Sequence, residues 1–517
     1  MKEGHIILTL TLSLFSASVA WAQNDQNQPP APSPVPAFGQ QNPAPTVSEN
    51  PPISAIDQPG LEPHAAPESF LLPGLHFSES LDSNIANSVG GESSVGTVTR
   101  GMGSLTLQKL WKNYAVAMDY VGGVAYYDHS GLGLEQLQQF DIDNRINWKR
   151  GQLAIRDSFS YLPEGSFDFP AYGGGGAYSA GFGGLGAGML GAGAFGTGSS
   201  ALFGGSTVSL GDVPRLTNLG LADVVENLTP KSAVTVAAGY GLEHFYGGLN
   251  SPVTGLPEEN ADFIGSREFT AQVAYDRVLT PKDQIALAYA YQGFNFSTVG
   301  TAFHSNLIQV SYGHRISGRM DFMISAGPQF THISSNEPVC TFLGLPLNVP
   351  LNQCTPFGGT FEVFAETANH IGAAGRISLR YRFPKTSFTL SYQRYDTSGS
   401  GIFAGSESNV VQADVQRPLS RVWNLFSDFG YSKNDELQLA GSAVDATSYT
   451  EVFAGVGLHR QFGRNLRGFV SYQFNDVFFN TPCPVPLSTS TTGCSNSSHR
   501  QVGSIGVDWS PRPIRLD

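Results

Sequence analysis

Charge is scarce in this chain. Asp, Glu, Lys and Arg make up 14% of its 517 residues, against roughly 25% in ordinary soluble domains. A soluble sheet protein would have too little charge to coat its outer faces. Basic residues are the scarcer sign, 29 against 42 acidic, and the net charge of −13 excludes the basic surface that nucleic-acid partners require.

Apolar runs of helix length are almost absent. The one candidate, Ile6 to about Val19, is too short to span a bilayer. It reads as the core of a secretory signal over residues 1–22, with Lys2 ahead of it and Ala20-Trp21-Ala22 as the cleavage site. Gln23, not Cys, follows, so no bacterial lipoprotein anchor is expected. With 60 glycines and a mean hydropathy of −0.10, no helical membrane protein is hidden in the remainder.

Cysteine is rare as well: Cys340, Cys354, Cys483 and Cys494. In an exported chain the local reading is two bridges, Cys340–Cys354 and Cys483–Cys494. Each closes a short loop, worth about 2–3 kcal/mol in the chain-entropy model. The alternative, a four-thiolate metal site, matches no zinc spacing, and no metal or cofactor is expected. Catalytic patterns are thin: Asp128-His129-Ser130 stands alone, and catalytic groups converge in space rather than in sequence. No enzyme is expected. The GxGxxG match at Gly181 to Gly186 lies in a Gly-saturated stretch with no βαβ unit around it, so no nucleotide site is expected.

What is present is alternation. In 263–297, Phe269, Ala271, Val273 and Tyr275 alternate with Thr270, Gln272, Ala274 and Asp276. After the turn Thr280-Pro281-Lys282-Asp283, Ile285, Leu287, Tyr289 and Tyr291 alternate with Gln284, Ala286, Ala288, Ala290 and Gln292. A period of two means antiparallel strands. One face is aromatic and aliphatic while the other is small and polar, as in strands with lipid outside and an enclosed interior. Only helices and closed barrels satisfy their backbone in lipid.

The pattern repeats near 75–84, 101–111, 113–127, 136–149, 151–162, 215–229, 231–246, 263–279, 282–297, 303–317, 319–334, 369–383, 385–396, 407–419, 421–433, 447–462, 464–479 and 499–510. The expected fold is therefore an all-β transmembrane antiparallel barrel of about 18 strands (16–18) over residues 71–517. Residues 23–70, rich in Pro and Gln, read as a disordered periplasmic linker, with a peptidoglycan- or partner-binding role as the alternative. They cannot supply the globular plug of a TonB-coupled receptor. The Gly-rich stretch 163–206 reads as a long loop, either folded into the lumen as a constriction or mobile outside.

Short connections such as Lys149-Arg150-Gly151 and Phe462-Gly463-Arg464 alternate with long ones, which hold both cysteine pairs. Short turns belong on the periplasmic side and long loops outside. Trp111, Trp148 and Trp423 flank short turns and Trp509 ends the last strand, so all four are expected on one rim as an aromatic girdle. On strand parity Asp119, Asp141, Asp143, Arg145, Asp276, Arg376, Arg380, Arg382, Asp414 and Asp428 turn inward. Such charges either line a water path and bias its ion preference or form a salt-bridge network that fills the interior. Both readings stay open. The function expected is a porin-like channel for small polar solutes, with a non-conducting structural or display barrel as the alternative.

The opening strands carry a resemblance. Gly74-Leu75-His76-Phe77-Ser78-Glu79-Ser80-Leu81-Asp82-Ser83-Asn84-Ile85, Leu105-Thr106-Leu107 and Tyr120 to Tyr127 resemble the outer-membrane β-barrel porin group that includes exopolysaccharide-associated barrels. Leu81 and Ser83 depart from the aromatic-Asp-Asp-Asn-Ile-like run common in that group. The resemblance implies an outer-membrane conduit associated with exopolysaccharide export. Outer-membrane lipid, lipopolysaccharide, the barrel-assembly machinery and polysaccharide are then the expected partners. Many such barrels end on an aromatic residue used in assembly. Here that signal is expected internally, around Val507 and Trp509.

Overall fold

The computed structural model describes residues 69–85, 95–128, 133–162, 214–250, 257–259, 264–280, 282–296, 300–317, 319–342, 345–346, 360–383, 385–397, 404–437, 448–480 and 497–516. They form a closed antiparallel barrel of 18 strands. In chain order these are β1 (Phe70–Asp82), β2 (Gly96–Leu110), β3 (Tyr114–Tyr127), β4 (Leu134–Trp148), β5 (Gly151–Leu162), β6 (Arg215–Thr229), β7 (Ser232–Asn250), β8 (Ser266–Thr280) and β9 (Asp283–Phe296). The second half comprises β10 (Thr301–Ser317), β11 (Met320–Phe342), β12 (Thr360–Arg382), β13 (Ser387–Thr397), β14 (Ser406–Pro418), β15 (Trp423–Glu436), β16 (Ser448–Gln461), β17 (Leu466–Phe479) and β18 (Ser497–Trp509). Consecutive strands pair, and β18 returns to β1 from Leu75↔Trp509 to Asp82↔Val502. Closure removes the unpaired edges that lipid cannot satisfy.

The two faces of the wall are inverted relative to a soluble sheet. In the β8–β9 hairpin Phe269, Val273, Tyr275, Ile285, Leu287 and Tyr289 are exposed, while Thr270, Gln272, Ala274, Asp276, Gln284, Ala286 and Ala288 are buried. Leu75, Val236, Val310, Ile371, Val470 and Ile505 extend the exposed apolar surface round the barrel. Among the described residues no helix is long and apolar enough to cross a membrane.

Some expectations need correction. Strands β11 and β12 each run 23 residues, well past the expected 319–334 and 369–383, and stay in register to Thr341↔Thr360. The Ser-Ser-Asn-Glu-Pro run at 334–338 is rich in turn-forming residues. Beyond Ser335, however, β11 pairs only with β12 among the barrel strands, and proline is tolerated where one flank of a strand is free. Cys340 therefore lies on β11, opposite Phe361, not in a loop. The bridge expectations themselves rest on Cys354, Cys483, Cys494 and the Cys340 side chain, which lie outside the described part of the molecule.

The first strand also starts earlier than expected. Ile514 and Arg515 stand opposite Leu71 and Phe70, and the Leu516 N–H donates to the Ser69 carbonyl (2.9 Å). The tail after β18 thus continues the seam past Pro511 and Pro513, which have no N–H to give. The signal, the Pro-rich stretch up to residue 68, the Gly-rich loop, His129 and Ser130 lie outside the described residues.

Candidate functional site

The barrel interior and its rims are where side chains of functional type gather. At the rim of short turns, Trp111, Trp148 and Trp509 are exposed, and Trp423 is half-buried at the start of β15. Trp509 stands opposite Leu466, the first residue of β17, so all four share that rim. The Arg460 guanidinium lies 5.2 Å over the Trp423 ring and 4.9 Å over that of Phe462. Lys109 sits 6.0 Å over Trp111, and the Trp148 Nε1–H donates to Glu226 Oε2 (2.7 Å). Amphipathic rings beside cationic heads suit a boundary between apolar and aqueous phases.

Inside, the parity of β4 turns Asp141, Asp143 and Arg145 inward, each only partly buried. Arg145 Nη2 lies 2.6 Å from Asp143 Oδ2, and Arg156 Nε lies 3.4 Å from the same oxygen. Arg156 Nη1 reaches Asp223 Oδ1 at 2.8 Å. The result is a four-membered chain of alternating sign across β4, β5 and β6. Asp119 and Asp141 stand directly opposite one another, a pairing that is unfavourable for like charges. Hydroxyls offset it: Thr106 donates to Asp119 and Ser158 to Asp141 (2.5 Å each).

A second band follows from register. Arg315, Asp321, Arg380, Thr389, Asp414 and Asp428 are successive ladder partners across β10 to β15. The side chains of Arg380, Arg382 and Asp414 lie outside the described part. Arg376 is opposite Ser325 and Gln393, and its Nε is buried without a hydrogen-bond partner. Asp276 is buried on β8, where the Gln284 amide donates to it (3.4 Å). Asp428 is partly buried, over the space that a side chain at Gly455 would need.

The inner wall is less uniformly small and polar than the sequence suggests. Phe426, Phe453 and Phe469 stand opposite Gly457, Gly430 and Gly506. A Cβ at Gly457 would meet the Phe426 ring at 1.9 Å, and one at Gly506 would meet the Phe469 ring at 2.4 Å. Each inward ring thus lies on a bare backbone opposite it. Phe294, Phe296, Phe303 and Ile333 form a further inward apolar cluster.

The closing seam is held by carboxylates. Arg500 Nε and Nη2 both donate to Asp82 Oδ2, at 2.8 and 2.5 Å, with both side chains almost wholly buried. The Asn84 N–H donates to Asp82 Oδ1 (2.9 Å). Asp508 accepts from Arg467 (3.1 Å) and contacts His76 (2.9 Å). Asp82 and Asn84, which belong to the run that carries the resemblance of the first strand, are therefore seam residues.

Arg156, Asp223 and Arg500 are not singled out in the sequence, and Asp82 enters only within the run that carries the resemblance. Parity would have put Arg156 inward with Ala154 and Ser158. Nothing local could have paired Asp82 with a residue 418 positions away. Among the described residues no group of three or more His, Cys, Asp or Glu is arranged to hold a metal ion.

No family model and no curated protein matches the chain. Among solved structures it is similar to the ferric-catecholate import receptor Fiu from E. coli K12. The TM-score is 0.40 at 7% identity, over 85% of this chain and 81% of that one. For OccAB1 of Acinetobacter baumannii the TM-score is 0.37 at 9% identity, over 86% and 96%. For OpdO of Pseudomonas aeruginosa it is 0.38 at 11% identity, over 86% and 97%. Overlap of this degree speaks to neither substrate nor mechanism.

Proposed function

We infer that this chain is an outer-membrane barrel acting as a porin-like channel for passive passage of small polar solutes. The observation that carries the reading is the inversion of the wall. Exposed Leu287, Val310 and Val470 face outward, while Asp141, Asp143, Arg145 and Asp428 face inward and keep part of their surface open. An apolar outer band calls for lipid, and a barrel of this strand number leaves room for an aqueous lumen. Lipid and lipopolysaccharide are the outer partners in this reading, and the barrel-assembly machinery inserts the chain. Trp111, Trp148, Trp423 and Trp509 mark one membrane interface. The resemblance of the opening strands suggests a surface polysaccharide as a further cargo.

A non-conducting barrel remains the second reading, and one observation favours it. Inward side chains from β7 to β11, including Thr235, Ala237, Thr270, Gln272, Ala288, Gln309 and Ser311, are almost wholly buried. Conductance in planar bilayers separates the two. Discrete steps whose cation preference changes when Arg145 and Arg156 are replaced by Gln support the channel. Folded, inserted barrels that stay electrically silent support the scaffold.

A further inference from the structure

The inner wall where β6, β7 and β8 reach the long-loop rim carries a charge that is not matched among the described residues. Glu243 and Glu268 face inward there with relative exposures of 4% and 2%. Glu243 stands opposite Ser266, and Glu268 stands opposite Gly241. The two carboxylates are thus diagonal neighbours across one ladder, within reach of each other for long side chains. Arg215 Nη1 contacts Glu243 Oε1, at 3.5 Å. Glu243 Oε2, both oxygens of Glu268 and the neighbouring Thr270 Oγ1 are buried and accept or donate no hydrogen bond.

Two carboxylates beside one guanidinium leave one negative charge over. A buried carboxylate without partners costs several kcal/mol unless something neutralises it. What could do so here has to come from the medium. The acceptor atoms there without a hydrogen bond are three carboxylate oxygens and a hydroxyl oxygen. That donor set is the one hard cations select, Ca²⁺ above all, because it accepts irregular geometry and bidentate carboxylates. The ladder position opposite Glu268 is Gly241, which bears no side chain.

We propose that Glu243, Glu268 and Thr270 form a Ca²⁺ site on the inner wall at the long-loop rim, which ties β7 to β8. The ion binds through both Glu268 oxygens, Glu243 Oε2 and Thr270 Oγ1, while Arg215 keeps the other Glu243 oxygen. The site lies apart from the Asp143–Arg145–Arg156–Asp223 chain and needs no conducting lumen.

The test uses the exported full-length chain purified in detergent without lipopolysaccharide and stripped with chelator. Thermal unfolding is followed with CaCl₂, and separately with NaCl at matched ionic strength; Ca²⁺ binding is measured by calorimetry. The expected result is a rise in unfolding temperature with Ca²⁺ that Na⁺ does not reproduce. It should be lost in Glu268→Gln, and Ca²⁺ affinity should fall roughly tenfold or more, as when a charged ligand leaves an oxygen site. Thr270→Val, which removes a ligand without changing charge, should weaken binding less and guards against a Glu268 variant that fails to fold. An equal response to Ca²⁺ in wild type and both variants overturns the proposal. So does stability that is indifferent to Ca²⁺ but rises on acidification in wild type and not in Glu268→Gln, since the pair then holds a proton.

Discussion

Replacing Asp82 by Asn tests how the barrel is closed. Asp82 and Arg500 join the first and last strands, with side-chain exposures of 2% and 3%. The carboxylate accepts two N–H bonds from Arg500 and one from the Asn84 backbone. Asparagine keeps the volume but removes the charge, and leaves a guanidinium buried against a neutral amide. Breaking one partner of a buried ion pair costs about 3–5 kcal/mol. At about 1.4 kcal/mol per tenfold, that lowers the folding equilibrium by a factor of a hundred or more. Urea unfolding in detergent micelles, with linear extrapolation of the transition, reads the change directly. Replacing both residues, as Asp82→Leu with Arg500→Met, removes the uncompensated charge and should recover most of the loss. A cost below about 1 kcal/mol for Asp82→Asn, typical of a solvated pair, refutes the reasoning. A double variant no better than the single one refutes it equally.

Other outcomes follow from the same geometry. Leu287→Arg places a cation on the exposed apolar face and should cost about 2–4 kcal/mol in bilayer-folded protein. The same change at a soluble surface would be near neutral, so a negligible effect argues against a lipid-facing wall. Gly457→Ala drives a methyl into the Phe426 ring and should cost about 1–3 kcal/mol by overpacking. Pairing it with Phe426→Ala should relieve the clash, as measured by the same urea titration. Arg156→Gln separates Asp143 from Asp223: Asp143 keeps Arg145, while Asp223 loses its ion-pair partner. In planar bilayers the reversal potential should then shift toward cation preference, and an unchanged potential removes this chain from the conduction path.

Strand number, the position of the short turns and the inversion of faces could all be read in the linear chain. Each depends on the two-residue alternation of a strand, as at Phe269 to Gln292, and neighbours in sequence set it. By the same parity Asp119, Asp141, Asp143, Arg145, Asp276 and Asp428 are expected inside. The extent of β11 and β12 could not be read that way, because Pro338 breaks a strand or not according to whether a neighbour needs its N–H. Nor could the pairing of Asp82 with Arg500, the facing of Phe426 and Gly457, or the unmatched Glu268. Those depend on which strands become neighbours and in what register, and register is decided only when the wall closes on itself.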